Sequence, residues 1–183
     1  NQDIGDWAVH SVTDMNTMFH RASAFDQDIG DWAVDNVKDM TNMFLGASAF
    51  DQDLGWCLDE GVVTFGSFGD GGTMQQAFDG TPCKWTSCGV VQVADVADCP
   101  TPNPTLTPAP TPRPVFFSST SCGVTQGICD YPMTDSNIRT AVTAWFDDVT
   151  AAEATYGHIS TWETSGVTDM AQLFCSGGCG SAS

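Results

Sequence analysis

The residues best suited to chemistry are acidic. Asp26, Asp28 and Asp31 form a D-x-D-x-x-D cluster, with Asp3 and Asp6 at the matching places upstream and Asp53 downstream. Carboxylates gathered in a loop suit calcium, which takes about six to eight oxygen ligands. Asp26, Asp28 and Asp31 are therefore the candidate metal ligands, and Ca2+ the candidate bound ion. The loop lacks the sixth-position glycine and the closing glutamate of an EF-hand. The competing reading is that these aspartates accept backbone N–H bonds in turns. Catalysis finds less support. No GxSxG, HExxH, Walker or GxGxxG pattern occurs. His10, His20 and His158 lie at unrelated points and read as surface residues. The carboxylates sit in polar turns, not in the apolar pocket that a general acid needs. The expectation is a protein that is not an enzyme.

Cysteine is the second reactive type. The chain has 8 of them, Cys57, Cys83, Cys88, Cys99, Cys122, Cys129, Cys175 and Cys179. None sits in a CxxC zinc pair, and so many in a short chain point to an oxidising compartment. All are expected in local disulfides. Sequence distance favours Cys122–Cys129 and Cys175–Cys179. Among the first four, Cys57–Cys83 with Cys88–Cys99 is preferred, and Cys83–Cys88 with Cys57–Cys99 is the competitor.

These residues are carried on a repeat. Asn1 to Phe25 and Asp26 to Phe50 are two copies of one unit, with Ile4/Ile29, Trp7/Trp32, Val9/Val34, Val12/Val37, Met15/Met40, Met18/Met43 and Phe19/Phe44 in register. Such a period is the signature of units that bury their apolar faces only against one another. Trp32, Val34 and Val37 favour an extended segment. Met40, Met43 and Phe44 fall at i, i+3 and i+4, which predicts one helical turn, capped by Asp39 and ended by Gly46. The predicted fold is an α/β solenoid of short strands and short helical turns. Trp7, Trp32, Trp56 and Trp162 are expected in its core, not in a sugar-stacking row.

A third copy opens at Asp51 and is irregular. Trp56 comes one residue early, and about ten residues intervene before Met74 to Gly80 resumes the pattern. Residues 1–99 therefore read as the C-terminal part of a repeat array with a Cys-rich cap. Residues 100–114 form a Pro/Thr-rich linker, stiff and extended, and a candidate O-glycosylated stalk. At about 3.1 Å per residue it would hold its neighbours up to about 45 Å apart. Residues 115–183 read as a second array: a cap helix over Ser136 to Asp148 with Ile138, Val142, Trp145, Phe146 and Val149 on one face, then a restart from Tyr156 to Phe174. The expected architecture is thus two repeat fragments joined by a linker.

Charge narrows the partners. With 23 acidic residues against 5 basic ones the net charge is −18. Nucleic acid and anionic membrane surfaces both need basic patches and are excluded as partners. No apolar run approaches the roughly 18–20 residues of a membrane span. The chain opens in mid-pattern without Met, which reads as a piece of a longer secreted or surface protein.

The unit FDQDIGDWAVDNVKDMTNMFLGASAF, with F-[ND]-Q-D-I, then W-x-V, then V-T-D-M-x-x-M-F, resembles the repeat of BspA-like leucine-rich-repeat surface proteins, also found in mycoplasma lipoproteins. Residues 25–50 match nearly every position, whereas 54–83 depart from it. The resemblance implies a leucine-rich-repeat-like fold, a cell-surface or secreted location, adhesion, and no catalysis. The expected function is a non-enzymatic recognition or adhesion module for a protein or glycan ligand. The alternative is a calcium-stabilised structural spacer in a large extracellular protein.

Overall fold

A computed structural model describes residues 1–62, 74–83, 87–99 and 131–176. The linker at 100–114 and Cys122, Cys129 and Cys179 lie outside these residues. Among them are two parallel two-stranded sheets. Strand β1 (Cys57–Asp59) pairs with β2 (Val91–Val93), and β3 (Pro132–Thr134) with β4 (Glu163–Gly166). There are two α-helices, α1 (Ile138–Asp147) and α2 (Val149–Tyr156), and three 3-10 turns, Met74–Phe78, Val96–Asp98 and Ile159–Thr161.

The expected leucine-rich-repeat-like solenoid of strands and helical turns is not found, because residues 1–50 hold neither strand nor helix. The backbone hydrogen bonds give the reason. Met18, His20 and Ala22 donate to the carbonyl three residues back, at 3.1–3.2 and 3.0 Å, as in isolated turns. The residues between them face the other way. Met15, Thr17, Phe19 and Arg21 donate across to Asp39, Thr41, Met43 and Leu45, each at 2.8 Å. A helix would send every N–H to the carbonyl four residues back. The i, i+3, i+4 spacing of methionine and phenylalanine is met instead by a chain that turns at each step. Thr17, Asn42 and Gln172, at the same place in three units, turn it with φ of 51°, 53° and 63°.

The two segments also do not stand apart as separate fragments. Met170, Gln172, Phe174 and Ser176 donate to the carbonyls of Asp14, Asn16, Met18 and His20 at 2.8–2.9 Å. The same direction runs on through Phe44 and Gly46, which donate to Ala77 and Asp79. The unit at 156–176 therefore lies beside 1–25, then 26–50, then 51–80, within one apolar core.

Tryptophan forms a row through that core. Trp7, Trp32, Trp56 and Trp162 are each 3% exposed, as expected of core residues. The Trp7 indole N–H donates to Ile159 O at 2.9 Å, and that of Trp32 to Ile4 O at 3.1 Å, so each reaches the preceding unit. Trp56, displaced by one residue in the sequence, leaves its buried indole N–H without a partner. Close approach of the units requires glycine at Gly5, where a Cβ would lie 2.9 Å from Asp28 O.

The disulfides are Cys57–Cys99 and Cys83–Cys88, with Cα separations of 5.8 and 5.4 Å. The competitor pairing is formed, not the preferred one. Parallel pairing of β1 with β2 carries the chain back beside Cys57 just before Cys99, while Cys83 and Cys88 close their own short loop. Cys175 is also disulfide-bonded.

A helix ends the row of units, but not over the predicted span. The segment breaks at Asp148, whose extended backbone (φ −154°, ψ 99°) stops α1 and whose carboxylate accepts from Ala151 N at 3.1 Å to cap α2. Ile138, Ala141, Val142 and Trp145 are buried, whereas Phe146 and Val149, expected on the same face, are 68% and 45% exposed. The break takes Val149 off the stripe, and Phe146 falls at its edge.

Replacing Trp32 by Phe should lower the unfolding free energy by about 0.5–1.5 kcal/mol more than replacing Trp56 by Phe. Only the first removes a hydrogen bond, that of the Trp32 indole to Ile4 O, which keeps its bond from Trp7 N. Chemical denaturation of the two variants measures the difference, and equal losses would refute the pairing.

Candidate functional site

A concavity lies where α1 and α2 meet the first unit. It is a cleft of about 680 Å³ whose walls include Phe19, Phe25, Trp145, Phe146, Val149 and Phe174. Asn1, Gln2, Arg21, Ser23 and Ser176 supply polar groups to its lining. Ligand sites are concave, mostly apolar, and furnished with a few polar groups, within about 300–1,000 Å³. Each wall has a local cause. Phe19 and Phe174 are set by the alternating hydrogen bonds of their units. Phe25 ends a turn that donates to Ala22 O at 2.9 Å. Phe146 and Val149 are brought to the lip by the break at Asp148, and Phe146 meets Phe174 edge-on at 6.3 Å.

Arg21 marks this place in the backbone. Its φ is 56°, in the left-handed region, where two of its counterparts are glycines, Gly46 at 75° and Gly80 at 83°. A non-glycine residue is strained there by roughly 1–2 kcal/mol. Such outliers gather at functional sites. The arginine stem lies over Gly46, whose Cβ, if present, would meet Arg21 Cγ at 3.3 Å.

The candidate metal ligands are employed differently. Asp26 Oδ1 accepts from Asp51 N at 3.1 Å and from Gln52 Nε2 at 2.7 Å. Asp28 Oδ1 accepts from Gly30 N at 3.0 Å. Asp31 is exposed. Among the described residues no group of three or more His, Cys, Asp or Glu is placed to hold a metal ion. The structure thus does not gather Asp26, Asp28 and Asp31 into a ligand set; Asp28 makes the turn bond weighed against calcium, whereas Asp26 bonds across to the next unit. The same two-residue reach recurs at Asp3, Asp14, Asp39, Asp59, Asp95 and Asp169. The cap expected of Asp39 is therefore formed, but on a turn that is not helical, with 2.8 Å to Thr41; Asp14 and Asp169 make the same bond to Asn16 and Ala171 at 2.8 Å.

Asp14 stands between Asp39 and Asp169, its partners in two parallel bridges. Burial raises its pKa first, and the charges of Asp39 and Asp169 add to that, against the Asn16 N–H and Arg139. Arg139 itself pairs with Asp169 at 2.8 Å. Asp135 moves the other way. Burial pushes it up, but the hydrogen bonds from Thr168 and Asp169, with Arg139, bring it below the ordinary value. That carboxylate ties the segment before α1 to β4's exit, accepting from Thr168 N at 2.7 Å and Asp169 N at 3.0 Å. Of the histidines, His10 is exposed, His158 bonds Ser160 Oγ at 2.7 Å, and His20 has a lowered pKa from burial and then from Arg21.

A family model described as Mycoplasma protein of unknown function, DUF285, matches residues 1–81 and 140–178. The chain belongs to that family. No curated protein and no solved structure matches it significantly. The family is a mycoplasma-associated repeat family, in keeping with the mycoplasma resemblance of the unit. The exposed Phe146 and Val149 escaped the sequence reading. The available signal was Asp148, a good N-cap in the middle of the predicted helix.

Because folding raises the Asp14 pKa, its contribution is complete below the ordinary carboxylate value and is lost as pH rises through the raised one. Asp14→Asn, which keeps an acceptor for Asn16 N–H, should therefore be more stable than the parent at pH 7. The gap should close as pH falls through the carboxylate range. Thermal melts of both proteins across that range test it, and a gap that widens on acidification would contradict it.

Proposed function

We propose that this protein is a non-enzymatic recognition module that works outside the cell or on its surface and takes its ligand in the cleft beneath Phe146. The observation that carries this reading is the exposure of Phe146 and Val149, 68% and 45%, on the lip of an aromatic-walled concavity. Large apolar side chains held in water beside a cleft lower stability unless something covers them. The strained Arg21 backbone at the same place adds a second departure from the repeat.

The location draws on two further facts. The disulfides Cys57–Cys99 and Cys83–Cys88 are compatible with an oxidising, extracellular environment. The likeness of the unit to BspA-like surface proteins supports adhesion as the purpose of recognition. Among the described residues no helix is long and apolar enough to cross a membrane.

The test is a panel of purified extracellular proteins and glycans, probed with the parent protein and with Ala24→Trp, which fills the cleft from an exposed position. At least one ligand should be held by the parent and weakened tenfold or more by Ala24→Trp and by Phe146→Ser, with melting temperatures unchanged. A panel in which no ligand distinguishes the parent from these variants would remove the cleft as the binding site.

A further inference from the structure

We propose that Cys57–Cys99 is a redox latch: a dithiol opens it and frees the strap 91–99 from β1, while Cys83–Cys88 and the row of units stay closed. Thiol–disulfide exchange needs a thiolate to reach a sulfur atom, and the two bridges differ in access. Cys83 and Cys88 are 4% and 0% exposed. Cys83 Sγ lies 3.5 Å from Phe50 O, and Cys88 O accepts from Leu54 N at 2.7 Å, so this bridge is sealed into the core. Cys57 and Cys99 are each partly exposed, and Ala97 and Asp98 beside the latter are fully in water.

Little besides the bridge holds the strap. Val90 is buried and marks the end of the core. Beyond it Val91, Ala94, Asp95, Ala97 and Asp98 are exposed. Two backbone bonds tie β2 to β1: Val91 N donates to Trp56 O, and Glu60 N donates to Val93 O, both at 2.9 Å. The Gln92 amide adds bonds to Asp59 O and Val62 O at 3.2 and 3.3 Å. A lone pair of short strands is marginal at best in water. The bridge joins residues 42 apart in sequence, so it removes much of the freedom that the opened chain would regain. The sealed bridge and the Leu54 N bond hold Cys88 in place, so the opening stops before it.

The step is a two-electron exchange. One thiolate of the dithiol attacks a sulfur of the bridge and expels the other as a thiolate. The second thiol of the dithiol, losing its proton, then displaces the first from the mixed disulfide. Two protein thiols and an oxidised dithiol result. Cys99 directly precedes the Pro/Thr-rich sequence, so the latch fixes the end of the third unit from which that sequence continues. Opening it lets 91–99 extend from the row by up to about 30 Å, at ~3.3 Å per residue. It also bares Trp56 O and Glu60 N on the edge of β1. The latch operates whatever the cleft binds.

The probe is dithiothreitol, titrated into the parent protein, with alkylation and peptide mass mapping at each step and hydrogen exchange followed alongside. Cys57 and Cys99 should become labelled together, at a concentration roughly tenfold or more below that which labels Cys83 and Cys88. At that point exchange at Glu60 and Val91 N–H should rise about tenfold or more, while Met15, Phe19 and Arg21 N–H stay protected. The double variant Cys57→Ser with Cys99→Ser should show the same exchange pattern without reductant. Labelling of Cys83 and Cys88 first, or together with the other pair, would overturn the latch. So would full protection of Glu60 and Val91 once Cys57–Cys99 is open, in the reduced parent or in the double variant. Loss of protection at Met15, Phe19 and Arg21 at the same step would overturn it too, because the bridge would then hold the whole row and not the strap.

Discussion

The structure depends on a backbone that shares its hydrogen bonds between two directions. Within 15–22, N–H groups alternate between the turn behind them and the carbonyls of the next unit. Every buried amide needs a partner, and this alternation supplies one without a helix or an extended ladder. It also fixes side-chain direction. Residues that donate across units bring Met15 and Phe19 into register with Met40 and Phe44, all within 3% of full burial. Ring stacking between units is a consequence of that register, not its cause. One residue lost before Trp56 is enough to shift an indole N–H off its acceptor.

The acidity follows from the same economy of turns. A chain that turns at every step has many N–H groups that no regular element receives. Aspartate reaches the N–H two residues on, and it does so in every unit. Bringing the units side by side then sets Asp169, Asp14 and Asp39 next to one another. Arg139 offsets part of that repulsion from outside the repeat, through Asp169. Much of the net charge is therefore structural in origin, although its field acts on any partner.

The periodic core was legible in the sequence. Tryptophan, methionine and phenylalanine recur at fixed places because each must meet its counterpart in a neighbouring unit, and all the predicted core tryptophans are buried. The caps of Asp14 and Asp39 were legible for a similar reason, being local. The conformation between them was not. The i, i+3, i+4 pattern reports which residues share a face, and a helical turn shares that property with the alternating turns found here. Long-range placement was also hidden: nothing in a local pattern indicates that 168–176 lies against 13–21. The pairing of β1 with β2, and with it Cys57–Cys99, was hidden for the same reason.

The cleft arises where these levels disagree. The helical stripe of 138–149 reads as one apolar face, but Asp148 serves a second helix better than it continues the first. Two other units have glycine at the place of Arg21. A core residue must satisfy its neighbours on every side, so local and repeat-level demands coincide there. At the junction of α1, α2 and the first unit they separate. Phe146 is left in water and Arg21 is left in a left-handed backbone. That these two departures meet in one concavity argues that the junction is shaped by what binds it.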